Sequence, residues 1–251
     1  MRYRPAMSSG PSLSFVLLER AALPDPAALQ SNAAAYGLRL QPGAVTEGVM
    51  QCEIDGLGDL MISLMPAPHP DAAHMPRGLL SPDEAELARM TAHFIVVAMG
   101  LPEDPRTHDT LLAKLTAIVA ESSPAIAAML GTGVTFHKAP AFVELVKEAD
   151  GLPMLACVDV TMAPEPDARM SILTHGLDRY GREEFFVTAS QRGQGAVDFI
   201  LSLAQWMLAD PNKHLPTGDT VGRTADEKIR VQRVPNPTGQ GPQVIRLDLD
   251  R

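Results

Sequence analysis

The sequence predicts an α+β protein, built as two α/β-plait-like layers of mostly antiparallel sheet with packed helices. Three observations lead there. Short apolar runs of strand length alternate with segments that open on helix-start signatures. The leading elements run strand, helix, strand, strand, helix, strand, which is the order of a split β-α-β plait, here with an additional helix before the fourth strand. After Gly151-Leu152-Pro153 the texture turns strand-rich. A chain of 251 residues suffices for one large core or two small ones. The expected organisation is a loose tail over 1–11, a plait-like domain over 12–150 and a second α+β domain over 151–251, the last two separate or closed into one compact unit.

Each element has a local reason. Residues 12–19 carry the apolar run Phe15-Val16-Leu17-Leu18, a buried strand. Asp25-Pro26 opens a helix, with a capping carboxylate followed by proline in the first turn, and Gly37 closes it. Residues 48–55 and 59–65 flank Gly56-Leu57-Gly58 and read as a hairpin. Ser81-Pro82-Asp83-Glu84 predicts a helix start with Ser81 as cap and Glu84 reaching back to it. A strand over 92–99 follows, then a helix over 107–120 with Leu111, Leu112, Leu115, Ile118 and Val119 on one face. Short strands are expected at 125–130 and 134–136, and a helix at 140–149. In the second part, strands are expected at 154–162, 170–174, 185–189, 228–234 and 244–249. A helix over 195–209 turns Val197, Ile200, Leu201, Ala204, Met207 and Leu208 inward and leaves Trp206 off its apolar stripe.

Composition removes several function classes. An apolar share of 45% with 20% charged residues excludes a disordered tail and a simple coiled coil. A formal net charge of −9 repels phosphate backbones, which argues against nucleic acid as a partner. The most apolar run, 94–101, is far shorter than the ~18 residues of a membrane-spanning helix, so no membrane partner is expected. The N-terminal Met1-Arg2-Tyr3-Arg4-Pro5 is followed by no secretory apolar region, and the expected location is cytoplasmic. Cys52 and Cys157 are too few for a disulfide framework, lack metal-ligand spacing and sit in apolar runs as buried hydrophobes.

No reactive constellation stands out, and neither a cofactor nor a resident metal is expected. His69, Asp71 and His74 form the most metal-like group, since imidazole and carboxylate together suit zinc or a similar ion. They lie in a proline-rich loop with no third strong ligand fixed by spacing, and the better reading is a solvated loop. Gly131-Thr132-Gly133 with Lys138 does not make a phosphate loop, because Ala139-Pro140 follows the lysine. His93 reads as a histidine bonded at a strand start, and a cysteine–histidine pairing of Cys157 with His175 or His93 is disfavoured by the apolar setting of the thiol. The segment Thr174-His175-Gly176-Leu177-Asp178-Arg179-Tyr180-Gly181-Arg182-Glu183-Glu184 is the most distinctive, with two glycines and a concentration of charge between two strands. Gly218-Asp219-Thr220-Val221-Gly222 is a second glycine-bounded turn.

At these residues the chain resembles the bacterial domain-of-unknown-function 4261 family. Thr174-His175-Gly176-Leu177, Tyr180-Gly181 and Glu184 are similar to that family's ordered signature. Leu64-Met65-Pro66-Ala67-Pro68, Ala92-His93-Phe94-Ile95-Val96 and Gly218-Asp219-Thr220-Val221-Gly222 add to it. The likeness runs over about 14–234 and departs from the family pattern at Phe185-Phe186. The C-terminal part is more remotely similar to the suppressor-of-fused family. Together these resemblances imply a protein that binds and neutralises a bacterial toxin, or an accessory of a secretion system, with no chemistry of its own. On that reading Asp178, Arg179, Arg182, Glu183 and Asp219 are the expected partner contacts. The rivals are a metal-dependent hydrolase using His69, Asp71 and His74, and a homodimeric structural or chaperone protein joined through a strand edge.

Overall fold

The apolar run that begins at Ser12 becomes the centre of a sheet. In the computed structural model, which describes residues 10–166, 168–190, 195–239 and 241–249, Ser12–Leu18 (β1) is hydrogen-bonded on both sides. The tail expected over 1–11 lies outside the described residues except for Gly10 and Pro11. After β1 come α1 (Pro26–Ala35), β2 (Leu40–Thr46), β3 (Val49–Ile54), β4 (Gly58–Met65), α2 (Glu84–Ala88), β5 (Ala92–Met99), α3 (Pro105–Glu121), β6 (Ala125–Leu130), β7 (His137–Lys138), α4 (Ala139–Glu148) and α5 (Met154–Cys157). The sheet order is β2-β3-β4-β5-β1-β6-β7, with every neighbouring pair antiparallel. Its central part, β4-β5-β1-β6, has the strand order of a split plait, with α1 between the first strand and β4 and α3 between β5 and β6. The β2–β3 pair widens one edge and β7 the other.

β1 is apolar from Phe15 to Leu18, where both of its faces are largely covered. Ser12, Ser14, Val16 and Leu18 face the helices: Thr116 Oγ1 on α3 donates to Ser14 Oγ at 2.7 Å, and Ser12 Oγ lies 2.8 Å from His108 Nε2. On the other face Leu17 joins Ala72, Leu87, Met129 and Phe136 in a core beneath the 66–90 segment. The helix starts are local. Asp25 accepts from the Ala28 amide and Asp104 from the Thr107 amide, each with a proline next in line.

Three expectations shift, and one strand is unforeseen. The cap of α2 is Asp83, not Ser81, and the capping box closes through Glu86, not Glu84, because Ser81 Oγ is taken by the Gly78 amide. The strand expected at 134–136 forms instead at β7, whose two residues pair with Ala127 and Ala128. β2 has no counterpart among the strands expected from sequence, since Pro42 and Gly43 fall within it. It is accommodated at the sheet edge by a register shift between Pro42 and Val45. The strand expected at 154–162 is broken: its first residues form α5 against α3, α4 and β6, and the chain divides into two compact units only after Cys157.

The second unit contains β8 (Asp159–Pro164), β9 (Arg169–His175), β10 (Phe185–Ser190), α6 (Ala196–Ala209), β11 (Thr220–Val221), β12 (Ile229–Arg230), β13 (Gln232–Val234) and β14 (Val244–Asp248). It reaches an antiparallel-dominated sheet by a different route. β8, β9 and β10 run up and down, α6 crosses over, and β14 lies parallel beside β10 with β13 antiparallel on its far side. The single strand expected at 228–234 is two, because Val231 turns away from both ladders. Its amide donates to the Asp219 carbonyl at 2.8 Å and its carbonyl accepts from the Gly218 amide at 2.9 Å. Among the described residues no helix is long and apolar enough to cross a membrane.

Candidate functional site

The distinctive segment after β9 is organised around one buried acid. Glu184 accepts from the Thr174 hydroxyl at 2.6 Å, the Gly176 amide at 2.7 Å and the Asp178 amide at 3.2 Å, while Thr174 Oγ1 accepts from the Phe185 amide at 2.8 Å. Gly176 takes φ 110°, a conformation that a side chain would strain, and Leu177 is fully buried beneath it. Thr174, Gly176 and Glu184 therefore tie a turn to two strands. Burial raises the Glu184 carboxyl above its ordinary range, against the three hydrogen bonds that lower it.

The neighbouring charges extend this tie towards α6. Arg182 Nη2 donates to the Asp210 carbonyl at the end of α6 at 2.7 Å, and its buried Nε has no partner among the described residues. Glu183 receives Arg233 bidentately, at 2.7 Å from Nε and 2.6 Å from Nη2, and Arg233 also bonds Thr217 Oγ1 and the Leu215 carbonyl. So Arg182 and Glu183 brace the two walls of a groove that they do not line. Asp178 is exposed beside them, with its amide on Glu184 and its carbonyl accepting from Gly181, and Arg179 is half-buried in the same turn. Of the five residues expected to meet a partner, Asp219 alone lines the groove.

That groove, about 760 Å³ in volume and open to solvent, lies between α6 and the 214–223 segment. α6 has two apolar stripes. Ala196, Ile200, Ala204, Met207 and Leu208 are buried in the core, whereas Phe199, Leu203 and Trp206, at i, i+4 and i+7, line the groove with Leu215 and Val221. Trp206 is 40% exposed, and the Lys213 ammonium stands 5.2 Å from its ring centroid. The far wall is set by Gly222, whose Cβ would stand 2.2 Å from the Glu227 carbonyl oxygen, so only glycine fits there. Arg223 is held in a bidentate pair by Glu227. Asp198 and Asp219 are exposed at the rim, and neither carboxylate has an ion-pair partner among the described residues. Sequence reasoning missed Phe199, Leu203 and Asp198 as site residues; the i, i+4, i+7 recurrence off the core face was the signal.

The first unit's candidates are placed elsewhere in the chemistry. His69 is packed as an aromatic ring, with centroids 5.2 Å from Phe15, 5.1 Å from His93 and 5.4 Å from Phe136. Its Nδ1 accepts from the Asp71 amide, and burial, with His93 adding to it, lowers its pKa. His93 Nδ1 donates to the Ala67 carbonyl at 2.8 Å. No group of three or more histidine, cysteine or acidic side chains among the described residues could hold a metal ion. Gly131 packs against the Leu13 backbone and Lys138 pairs with Glu86 at 2.9 Å, so neither addresses a phosphate. Burial pushes the Cys52 thiol up to about 11, and His175 Nε2 lies 2.9 Å from Thr161 Oγ1 across the β8–β9 ladder.

No family model, curated protein or solved structure matches the chain.

Proposed function

We propose that this chain is a non-enzymatic, cytoplasmic protein-binding module that acts by covering a partner's surface, as an immunity protein neutralising a bacterial toxin or as an accessory of a secretion system. The observation that carries the reading is the second apolar stripe of α6. A helix on a sheet needs one apolar face for its core, and this one spends Phe199, Leu203 and the exposed Trp206 on an open groove. Aromatic anchors in concave, mostly apolar sites are where binding energy concentrates in protein interfaces. The remote likeness of the C-terminal part to the suppressor-of-fused family, whose bacterial members the resemblance implies to be immunity proteins, supports a toxin as the partner. The hydrolase alternative would need His69 as a ligand, and that ring is engaged with Phe15, His93 and Phe136 instead.

The test is co-purification of the full chain, with and without Leu203→Ser, from cells that carry the neighbouring genes. A stoichiometric protein that is retained by the wild type and lost by the variant supports the proposal, as does restored toxin sensitivity when the gene is deleted. Recovery of no stoichiometric partner, or equal recovery by both forms, overturns it.

A further inference from the structure

We infer that the α6 groove receives a basic amphipathic segment of the partner, its apolar side chains seated on Phe199, Leu203 and Trp206 and its lysines or arginines directed at Asp198 and Asp219. The inference rests on the protein-binding reading and adds the chemistry of what is bound. The spacing of the floor residues, one helical turn apart, matches anchors presented at i, i+3 or i+4 and i+7 by an incoming amphipathic segment.

The charges select its sign. Among the described residues, four that line the groove carry titratable groups: Asp198, His214, Asp219 and Arg223. The guanidinium of Arg223 is neutralised by Glu227, so among the described lining residues the fixed charge left facing the groove is that of the two carboxylates. Lys213 already places one ammonium over the Trp206 ring, so the two rim carboxylates outnumber the cation beside the groove and they, not the ring face, are left for incoming cations. The formal net charge of −9 attracts a basic partner from a distance, while the rim carboxylates fix where its charges land.

Trp206 is the chain's single tryptophan, so intrinsic fluorescence reads the groove directly. The probes are two synthetic helical peptides, one of leucine and lysine and one in which glutamate replaces every lysine, titrated into the full chain at low and moderate salt. The leucine–lysine peptide is expected to shift the emission saturably. Its binding should weaken about tenfold in the double variant Asp198→Asn, Asp219→Asn and also with added salt. The double variant Glu53→Gln, Asp59→Asn removes the same charge from the other unit, and binding there should stay within about twofold of wild type. Circular dichroism confirms that each variant is folded.

Equal response to the glutamate peptide, or equal weakening by both double variants, overturns the inference, as does self-association that buries Trp206 without any peptide. Recovery of a partner that depends on Leu203 but not on Asp198 and Asp219 keeps the protein-binding reading and overturns the basic segment. Groove-specific peptide binding with no stoichiometric partner does the reverse: it supports the groove's preference and removes the reading.

Discussion

Two polar segments invite a chemical interpretation, the loop around His69 in the first unit and the Thr174–Glu184 turn in the second. They solve opposite problems. The loop lays an imidazole among Phe15, His93 and Phe136, so its most reactive-looking side chain works as a packing ring. The turn buries a carboxylate and surrounds it with one hydroxyl and two amides, so its most reactive-looking side chain works as a backbone acceptor. Polar residues gathered in one place are thus structural in both regions. The surface with binding geometry is the one whose floor is apolar.

The largest expected effect strikes the turn. Glu184→Ala leaves the Thr174 hydroxyl and the Gly176 and Asp178 amides without their acceptor, and should cost roughly 3 kcal/mol. Denaturant unfolding followed by Trp206 emission measures it. A loss below about 1 kcal/mol would show that the carboxylate does not organise the segment.

His69→Ala comes next, at roughly 1–2 kcal/mol for the lost ring contacts, whereas His69→Phe should stay within about 0.5 kcal/mol of wild type. If phenylalanine is as damaging as alanine, the imidazole nitrogens matter and the packing account of the loop fails.

A smaller effect tests the brace between turn and groove. Glu183→Gln should lower stability by about 1 kcal/mol or less, since the pair is partly exposed. It should nevertheless shift Trp206 emission, because Arg233 also holds Leu215 and Thr217. Unchanged emission would sever the turn from the groove.

The smallest effects are opposite responses to pH. Burial raises the Glu184 carboxyl, so the folded chain binds its proton more tightly than the unfolded chain does. This group's contribution is therefore greatest in acid and declines as pH rises from its ordinary 4.5 through the folded value. Burial lowers the pKa of His69, so its contribution is full above the ordinary 6.5 and declines as pH falls through the folded value. His175, which burial also lowers, sits beside the turn and acts in the His69 direction, so the readout is a difference between variants. Hydrogen exchange corrected for its intrinsic pH dependence should show Glu184→Gln flattening the response of the turn and His69→Phe that of the loop. Slopes of one sign in both regions would contradict these assignments.

Much of the first unit was legible in sequence. The strands at β5 and β6, the cap at Asp25 and the apolar run Phe15-Val16-Leu17-Leu18 of β1 are decided by neighbours a few residues away, or by burial on both faces. The cap at Asp83 was missed by two residues because Ser81 and Asp83 are both good caps, and only the competing Gly78 amide separates them. In the candidate site the legible residues were Trp206, off the core stripe of its helix, and the turn from Asp219 to Gly222, with Asp219 the one expected to meet a partner. Arg182 and Glu183 drew notice as exposed charges, yet their partners, Asp210 and Arg233, lie 28 and 50 residues away in the chain.

The sequence alone determined the α+β class, the periodicity of each long element and the turn chemistry of its glycines and prolines, because these depend on local backbone preference and on which side chains must leave water. Tertiary structure decided how the plait strands are ordered through two inserted strands, why Val231 splits a strand, and that α6 keeps a second apolar stripe for an open groove. Those outcomes depend on which distant amide, carbonyl or ring reaches a given position first, and spacing along the chain does not encode that.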